Sequence, residues 1–279
     1  MKTNTFPLIF RILSYMIMGG FTIMTIGPLL WLFYSSFKPH AEIVKNALAL
    51  PELATASNYV IAWVRGNLGL YMNNSIVYTF FATSGTVIFA LACGFGFSKF
   101  PYKKTTAFFL GYLTIGLLIT VHAVLVPLFI IESKIGLGNT RIGLIIPYIA
   151  FGLPMAVYLA YSYIVGIPNS LIESALIDGA NYLRIFIRII VPIATPVTAT
   201  MTILTFLANW NEFVLAFILT SSDKLRSLTV GINAFAGSLV ADFGLQFASL
   251  VIGTAPVLIF YTIFHEKIVK GFAEGALKE

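Results

Sequence analysis

The sequence predicts an all-α integral membrane protein with six transmembrane helices, forming a single domain over residues 1–279. One observation behind this prediction is composition: hydrophobic residues make up 58% of the 279 residues and charged residues only 10%. Soluble domains usually carry about 25% charged residues. The mean hydropathy is +0.92. The net charge of +6 comes from scattered basic residues that form no nucleic-acid patch, so we expect no nucleic acid among the partners.

Six long apolar runs are the second observation. A helix that crosses the hydrocarbon core needs about 20 apolar residues, and lipid offers no partner for unpaired backbone groups, so such runs should be helical. The runs cover residues 12–33, 75–98, 105–131, 142–165, 197–219 and 243–264, with Glu212 inside the fifth. The first run is longer than the apolar region of a signal peptide, so we interpret it as a retained span.

The distribution of Lys and Arg predicts which side of the membrane each loop faces. With the N-terminus in the cytoplasm, the inner segments hold ten basic residues and the outer segments hold seven. Cytoplasmic loops carry an excess of positive charge in membrane proteins. Both termini are therefore predicted to be cytoplasmic, as is the loop of residues 166–196 between the fourth and fifth helices.

This loop contains ESALIDGANYLRIFIRIIVPIATP, a polar stretch in an otherwise apolar chain. Pro168 ends the fourth helix, Ser170 followed by Glu173 fits a capping box for a new helix, and Gly179 is expected to end or bend that helix. A helical projection gives two sides. The polar side holds Glu173, Ser174, Asp178, Asn181, Arg184 and Arg188, and the apolar side holds Leu171, Ile172, Ala175, Leu176, Ala180, Leu183 and Phe186.

Two interpretations of this amphipathic stretch stay open on physical grounds. In one, the helix lies at the membrane interface with its arginines near lipid headgroups, and Glu173 only caps the helix. In the other, the exposed face docks on a cytoplasmic partner, for which the small residues and the sharp turn of ESALIDGA are suited.

The same stretch resembles the EAA signature of the membrane subunits of ABC importers. That signature is roughly E-A-A-x-x-D-G-A followed by an apolar stretch with P-x-x-x-P. The matching residues are Glu173, Ala175, Asp178, Gly179, Ala180, Pro192 and Pro196, with Ser174 in place of the first alanine. Further segments, PLLWLFYSSFKP, WNEF and the tail VKGFAEGALKE, are similar to the carbohydrate branch of this family, and to the smaller, maltose-type permease in particular.

The resemblance implies a function and a set of partners. The loop would form coupling helices that dock on two cytoplasmic ATPase subunits, with Glu173, Ala175, Asp178, Gly179 and Ala180 at the contact. The tail residues Gly271, Gly275 and Lys278 would reach the ATPases as well. A second homologous permease would complete the pore in the cell membrane of a prokaryote, and an extracytoplasmic binding protein would deliver the solute. ATP and Mg would be bound by the ATPases, with no cofactor in this chain.

A possible substrate path follows from the carboxylate inside the fifth run. Glu212 stands with Asn209, Trp210 and Asn211 in a polar and aromatic cluster suited to sugar hydroxyls and to the apolar face of a sugar ring. An acid within a membrane segment is a functional candidate by default. The alternative is that Glu212 lies near the outer end of its helix and pairs with Lys224 or Arg226.

Other function classes find less support in the sequence. No G-x-x-x-x-G-K-[ST] motif occurs, so the chain has no ATP site of its own. The three histidines share no metal-ligand spacing, and Cys93 is the only cysteine. A stand-alone secondary transporter driven by an ion gradient is the main alternative, although the halves of the chain show no clear repeat. A membrane enzyme ranks third, since no catalytic constellation is present.

Overall fold

A computed structural model describes residues 8–52, 54–235 and 242–276 of the chain. Every regular element in these ranges is helical, with no β-strand among them. The chain divides into two compact units. One contains the residues up to Leu68 together with 232–254, and the other contains Gly69–Gly231 together with the residues from Ala255 onward.

Fourteen α-helices follow one another along the described residues. They are α1 (Leu8–Ser35), α2 (His40–Lys45), α3 (Ser57–Val64), α4 (Leu68–Lys99), α5 (Lys103–Leu118), α6 (Val121–Lys134), α7 (Arg141–Val165), α8 (Asn169–Ile177), α9 (Tyr182–Ile185), α10 (Val191–Ile193), α11 (Thr195–Trp210), α12 (Val214–Leu219), α13 (Leu228–Ala234) and α14 (Phe243–Ala276). A π-helical turn (Phe186–Ile190) joins α9 to α10, and a 3₁₀ turn (Asp223–Leu225) precedes α13.

The length and composition of these helices bear out a multi-pass membrane protein. Within the described residues, four helices are long and apolar enough to cross a membrane: residues 10–35 of α1, α4, α7, and residues 243–264 of α14. Two further pairs pass the same test together but are bent, α5 with α6 by 102° and residues 182–193 with α11 by 78°. The third predicted run is thus two helices, and the fifth is interrupted after Trp210.

A fully buried lysine joins neighbouring segments of the first unit. Lys38 donates from Nζ to the carbonyl oxygens of Asn46 and Ala49, both at 2.8 Å. Its own carbonyl oxygen accepts from Asn58 Nδ2 at 2.9 Å. A Cβ at Gly244 would lie 2.7 Å from that same oxygen, so glycine lets the start of α14 approach closely. Burying the ammonium is tolerated because carbonyl groups replace the water that it loses.

In the second unit, α4 and α7 pack at unusually short range. A Cβ at Gly94 of α4 would lie 2.8 Å from Ala160 Cβ of α7, and one at Gly152 of α7 would lie 3.1 Å from the Thr86 side chain of α4. Small residues at such contacts let helix backbones approach in a membrane, where van der Waals packing replaces the hydrophobic effect as the source of association. The two helices therefore form a close pair.

One buried apolar cluster extends from this pair into the loop that follows α7. It contains Val87, Ala90, Leu91 and Phe95 of α4, Ala156, Val157, Ala160 and Ile164 of α7, and Ile172, Ala175, Ile185 and Ile190 of the following loop. The loop is thus packed on α4 and α7 along its apolar side.

We expect Gly94→Ala to destabilise the protein, because its methyl group would press on the Ala160 side chain and on backbone atoms of α7. Overpacking of this kind costs about 1–3 kcal/mol. Gly96→Ala, two residues further along α4, is the matched control, since nothing lies within 4 Å of its Cβ position. Thermal unfolding in detergent should give a lower midpoint for Gly94→Ala alone. Equal midpoints for both variants would show that the close approach of α4 and α7 is unimportant.

Candidate functional site

The candidate coupling segment is a helix, a turn and a second helical piece, and its first helix starts before the predicted capping box. Helix α8 begins at Asn169, directly after Pro168, whose ψ of 135° turns the chain into the helix. No side-chain hydrogen bond caps it, and Ser170 lies inside its first turn. The predicted capping box of Ser170 and Glu173 is therefore wrong, because the N-cap is Pro168, two residues before Ser170. The Glu173 side chain is exposed.

Gly179 ends α8 in a Schellman motif. Its φ of 77° lies in the left-handed region, which a glycine adopts without strain. The amide of Ala180 donates to the carbonyl of Ala175 at 2.9 Å, and the amide of Gly179 donates to the carbonyl of Leu176 at 3.0 Å. These two bonds satisfy carbonyl groups that the end of a helix leaves without a partner. The turn explains why glycine follows Asp178 here.

Small residues allow the turn to fold back on the cluster beneath it. Ala175 is buried, and Ala180 packs against the same cluster. On the opposite side Glu173 and Asp178 are exposed, and Ile177 is 87% exposed. The tip of the loop thus presents two carboxylates around an apolar side chain, which is a surface suited to contact with another protein.

The predicted apolar side of the loop is buried only in part. Ile172 and Ala175 are inside, but Leu171 and Leu183 are exposed, the latter by 65%. For Leu183 the reason is the turn at Gly179, which changes the direction of the chain so that one helical projection cannot extend across it, whereas Leu171 lies in α8 itself, at the edge of its buried side.

The second piece of the loop is anchored by a cap and by two rings. Asn181 Oδ1 accepts from the amide of Arg184 at 2.9 Å and so caps α9. The Tyr182 ring lies 4.9 Å from that of Phe100, just beyond α4. The Phe186 ring lies 5.6 Å from that of Phe95 in α4. The loop therefore returns to α4 before the chain enters α10 and α11.

The carboxylate of Glu212 lies at the break between α11 and α12 and caps the second of these helices. Its Oε1 accepts from the amide of Leu215 at 2.9 Å, and its Oε2 accepts from the amide of Ala216 at 3.1 Å and from the Tyr148 hydroxyl at 3.0 Å. A negative charge at a helix N-terminus is favourable. The predicted ion pair with Lys224 or Arg226 is wrong, because the backbone amides occupy the carboxylate, while Arg226 pairs with Asp223 at 2.9 Å.

A cavity of about 260 Å³ opens beside this carboxylate, between α6, α7 and α11. Its polar lining consists of Tyr148, Thr205, Asn209 and Glu212, and the rest is apolar, including Phe151, Met155, Leu159, Met201 and Leu204. Of the four predicted path residues, Asn209 and Glu212 line the cavity. Trp210 and Asn211 are not among its lining residues: Trp210 is buried, and Asn211 Nδ2 donates to the carbonyl of Leu207 in its own helix.

Tyr148 is a lining residue that sequence reasoning missed. It follows Pro147 within α7, and nothing in its neighbourhood along the chain signals that its hydroxyl reaches a carboxylate 64 positions away.

The remaining predictions concern metal ligands and the C-terminal tail. In the part of the chain that the structure describes, no three His, Cys, Asp or Glu side chains lie close enough to hold a metal. Gly271 and Gly275 lie within α14, and Lys278 lies outside the described residues.

Comparison with known proteins identifies the family. Residues 86–273 match the family described as binding-protein-dependent transport system inner membrane component. The diacetylchitobiose uptake system permease protein NgcG of Streptomyces coelicolor is 33% identical over 271 residues, which cover 96% of this chain and 89% of that protein. The trehalose transport system permease protein SugB of Mycobacterium tuberculosis is 35% identical over 261 residues, 90% of this chain and 92% of that protein.

The fold is also found in a solved structure, that of a bacterial ABC transporter involved in the import of the acidic polysaccharide alginate. The superposition has a TM-score of 0.80 at 24% sequence identity and covers 95% of this chain and 99% of that chain. Family membership decides against the stand-alone secondary transporter and the membrane enzyme. The chain belongs to the binding-protein-dependent transport system inner membrane components, and is a multi-pass permease subunit of an ABC importer in the cell membrane.

Proposed function

We propose that the chain is one half of a heterodimeric pore that imports a carbohydrate by alternating access, powered by ATP hydrolysis in two partner ATPases that bind ATP and Mg. The observation behind the coupling is the exposed tip of α8, with Glu173 and Asp178 around Ile177 and the Schellman turn at Gly179. Relatives named for diacetylchitobiose and trehalose support a carbohydrate as the solute. A second permease and an extracytoplasmic binding protein complete the proposed assembly.

In this proposal the tip of α8 inserts into a cleft on an ATPase subunit. Glu173 and Asp178 offer acceptors for basic groups of the cleft, and Ile177 offers apolar surface at the centre of the contact. Ala175 and Ala180 keep the turn compact, so that the tip stays rigid when the ATPases close. The lipid-facing alternative is less favoured, because two carboxylates at the tip would be repelled by anionic headgroups.

The proposed topology has six membrane-spanning segments with both termini in the cytoplasm. Two bent helix pairs bring the four long helices to six segments, and the exposed Lys103 and Lys104 lie on the same proposed side as α8. The end of α14 with Gly271 and Gly275, and the following Lys278, would then be available to the ATPases.

The proposed solute path includes the cavity beside Glu212. Asn209, Tyr148 and Glu212 supply donors and acceptors for hydroxyl groups, and the apolar lining suits the carbon faces of a sugar ring. The break between α11 and α12 puts the first amides of α12 next to the cavity, with the carboxylate between them and the solute.

Glu173→Ala should reduce both ATPase binding and sugar uptake by at least about tenfold, as expected when a charged side chain is removed from a desolvated interface. The test co-expresses the chain with its partner subunits and measures co-purification of the ATPases, followed by uptake of radiolabelled trehalose or diacetylchitobiose into proteoliposomes. Glu52→Ala, which removes an exposed acid from the proposed outer loop, is the matched control. Undiminished co-purification of the ATPases with Glu173→Ala would refute the proposed docking, and lipid contact would become the better interpretation of α8.

Glu212→Gln should raise the KM for uptake of those disaccharides by several-fold to roughly tenfold, the order expected for one or two lost hydrogen bonds. It should also lower stability by about 1 kcal/mol, because the amide has one acceptor oxygen for three donors. Tyr148→Phe leaves the cap of α12 in place and isolates the effect of the cavity hydroxyl.

Asn211→Ala is the control for the cavity, since Asn211 is exposed and is not among its lining residues. Uptake kinetics and thermal unfolding midpoints of the three variants separate the two effects. If Glu212→Gln and Tyr148→Phe lower the midpoint but leave the KM at the wild-type value, the cavity is not part of the solute path.

A further inference from the structure

We infer that Lys99 is a positioning residue that fixes the angle between the coupling helix α8 and the α4–α7 pair; this rests on the proposed coupling function of α8. Lys99 is the last residue of α4. Its Nζ donates to the carbonyl oxygen of Ile167 and, at 3.0 Å, to Oδ1 of Asn169. These two acceptors stand on either side of Pro168, the residue through which α7 continues into α8.

The connection from α7 to α8 needs such support because it has no continuous backbone ladder. The amides of Gly166 and Ile167 make only short-range bonds to Tyr163 and Ile164. Pro168 has no amide hydrogen to donate, and it disfavours helical geometry at the residue before it. The backbone alone therefore leaves α8 free to pivot about Pro168, and side-chain contacts decide its angle.

The role of Lys99 differs from that of its basic neighbours. A lysine at the cytoplasmic end of a membrane helix ordinarily extends toward water or headgroups, and Lys103 and Lys104 are indeed exposed. Lys99 instead is half-buried, and its Nζ donates hydrogen bonds to the connection between α7 and α8. Hydrogen bonds from a charged donor are among the stronger ones in proteins, so the two bonds from Lys99 are suited to resist a change in the angle of α8.

The hydrogen bonds of Lys99 matter because residues near the other end of α4 bind a second segment, residues 224–228. Asn74 Nδ2 donates to the carbonyl of Lys224 at 2.9 Å, and the Tyr78 hydroxyl donates to the carbonyl of Leu225 at 2.7 Å. The amide of Leu228 donates to Ser75 Oγ at 2.8 Å.

About 37 Å of helix separates Asn74 from Lys99 at 1.5 Å per residue. Because α4 is one uninterrupted helix of 32 residues, it is suited to pass a displacement along its length. With Lys99 in place, tilting α8 must move α4, and with it the segment of residues 224–228. Without Lys99, part of the tilt is absorbed at Pro168.

The test measures the angle of α8 in the assembled transporter. In a Cys93→Ser background, nitroxide labels at Leu171→Cys on α8 and Tyr158→Cys on α7, both exposed and outside the proposed ATPase contact, report the distance between the helices by pulsed electron paramagnetic resonance. Lys99→Met should broaden this distribution, whereas Lys99→Arg, which keeps donors at the same place, should leave it narrow. Asn169→Ala removes one acceptor without touching α4 and should give an intermediate width.

A second readout is the number of trehalose or diacetylchitobiose molecules taken up per ATP hydrolysed. Lys99→Met should lower this ratio by roughly tenfold, the order expected for losing hydrogen bonds from a charged donor, while the ATPases still co-purify. Lys104→Met removes the same charge from an exposed site and should change neither readout.

A wild-type distance distribution in Lys99→Met, or equal broadening in Lys104→Met, would overturn the inference. A Lys99→Met variant with both a narrow distance distribution and an unchanged uptake ratio would overturn it as well. Failure of the proposed docking shows itself differently, as normal ATPase co-purification with Glu173→Ala, because the label distances report the connection at Pro168 whether or not the ATPase contact is the proposed one.

Discussion

Where a helix ends inside a membrane, its unpaired backbone N–H and C=O groups must find hydrogen-bond partners within the protein, since lipid supplies none. This requirement explains the polar residues that the chain keeps in its apolar segments. Where α11 ends, the carboxylate of Glu212 accepts hydrogen bonds from amides in the first turn of α12. In the irregular segment after α12, carbonyl groups accept hydrogen bonds from the side chains of Asn74 and Tyr78. At these two places a side chain thus restores the pairing that the helix no longer supplies.

The same requirement connects structure to transport. In the proposed function, an interrupted helix lies where the solute passes and a continuous helix lies where motion is transmitted. The interruption between α11 and α12 lies beside the cavity. The continuous helix α4 lies close against α7 where Gly94 faces Ala160 and Gly152 faces Thr86. Because α7 leads directly into α8, the loop that bears the EAA signature is attached to the closely packed pair of α4 and α7.

Sequence reasoning succeeded where the signal is local. Composition and run length predict a helical membrane protein, and the turn at Gly179 follows from the chemistry of a single residue. It failed where a partner is distant along the chain. The alternative ion pair of Glu212 involves residues near it in sequence, Lys224 or Arg226, whereas its side-chain partner Tyr148 is 64 positions away. Lys99 and Ile167 are 68 positions apart, and counting basic residues per loop cannot separate Lys99 from its neighbours.

The sequence by itself determined the class of protein, the approximate extent of its apolar segments and the family signature at residues 173–196, because these depend on composition and on short-range patterns. Only the tertiary structure decided which carboxylate faces a cavity and which lysine donates to the connection between α7 and α8. Those outcomes depend on side chains from different helices meeting at distances of about 3 Å, and helical periodicity gives the direction of a side chain only relative to its own helix.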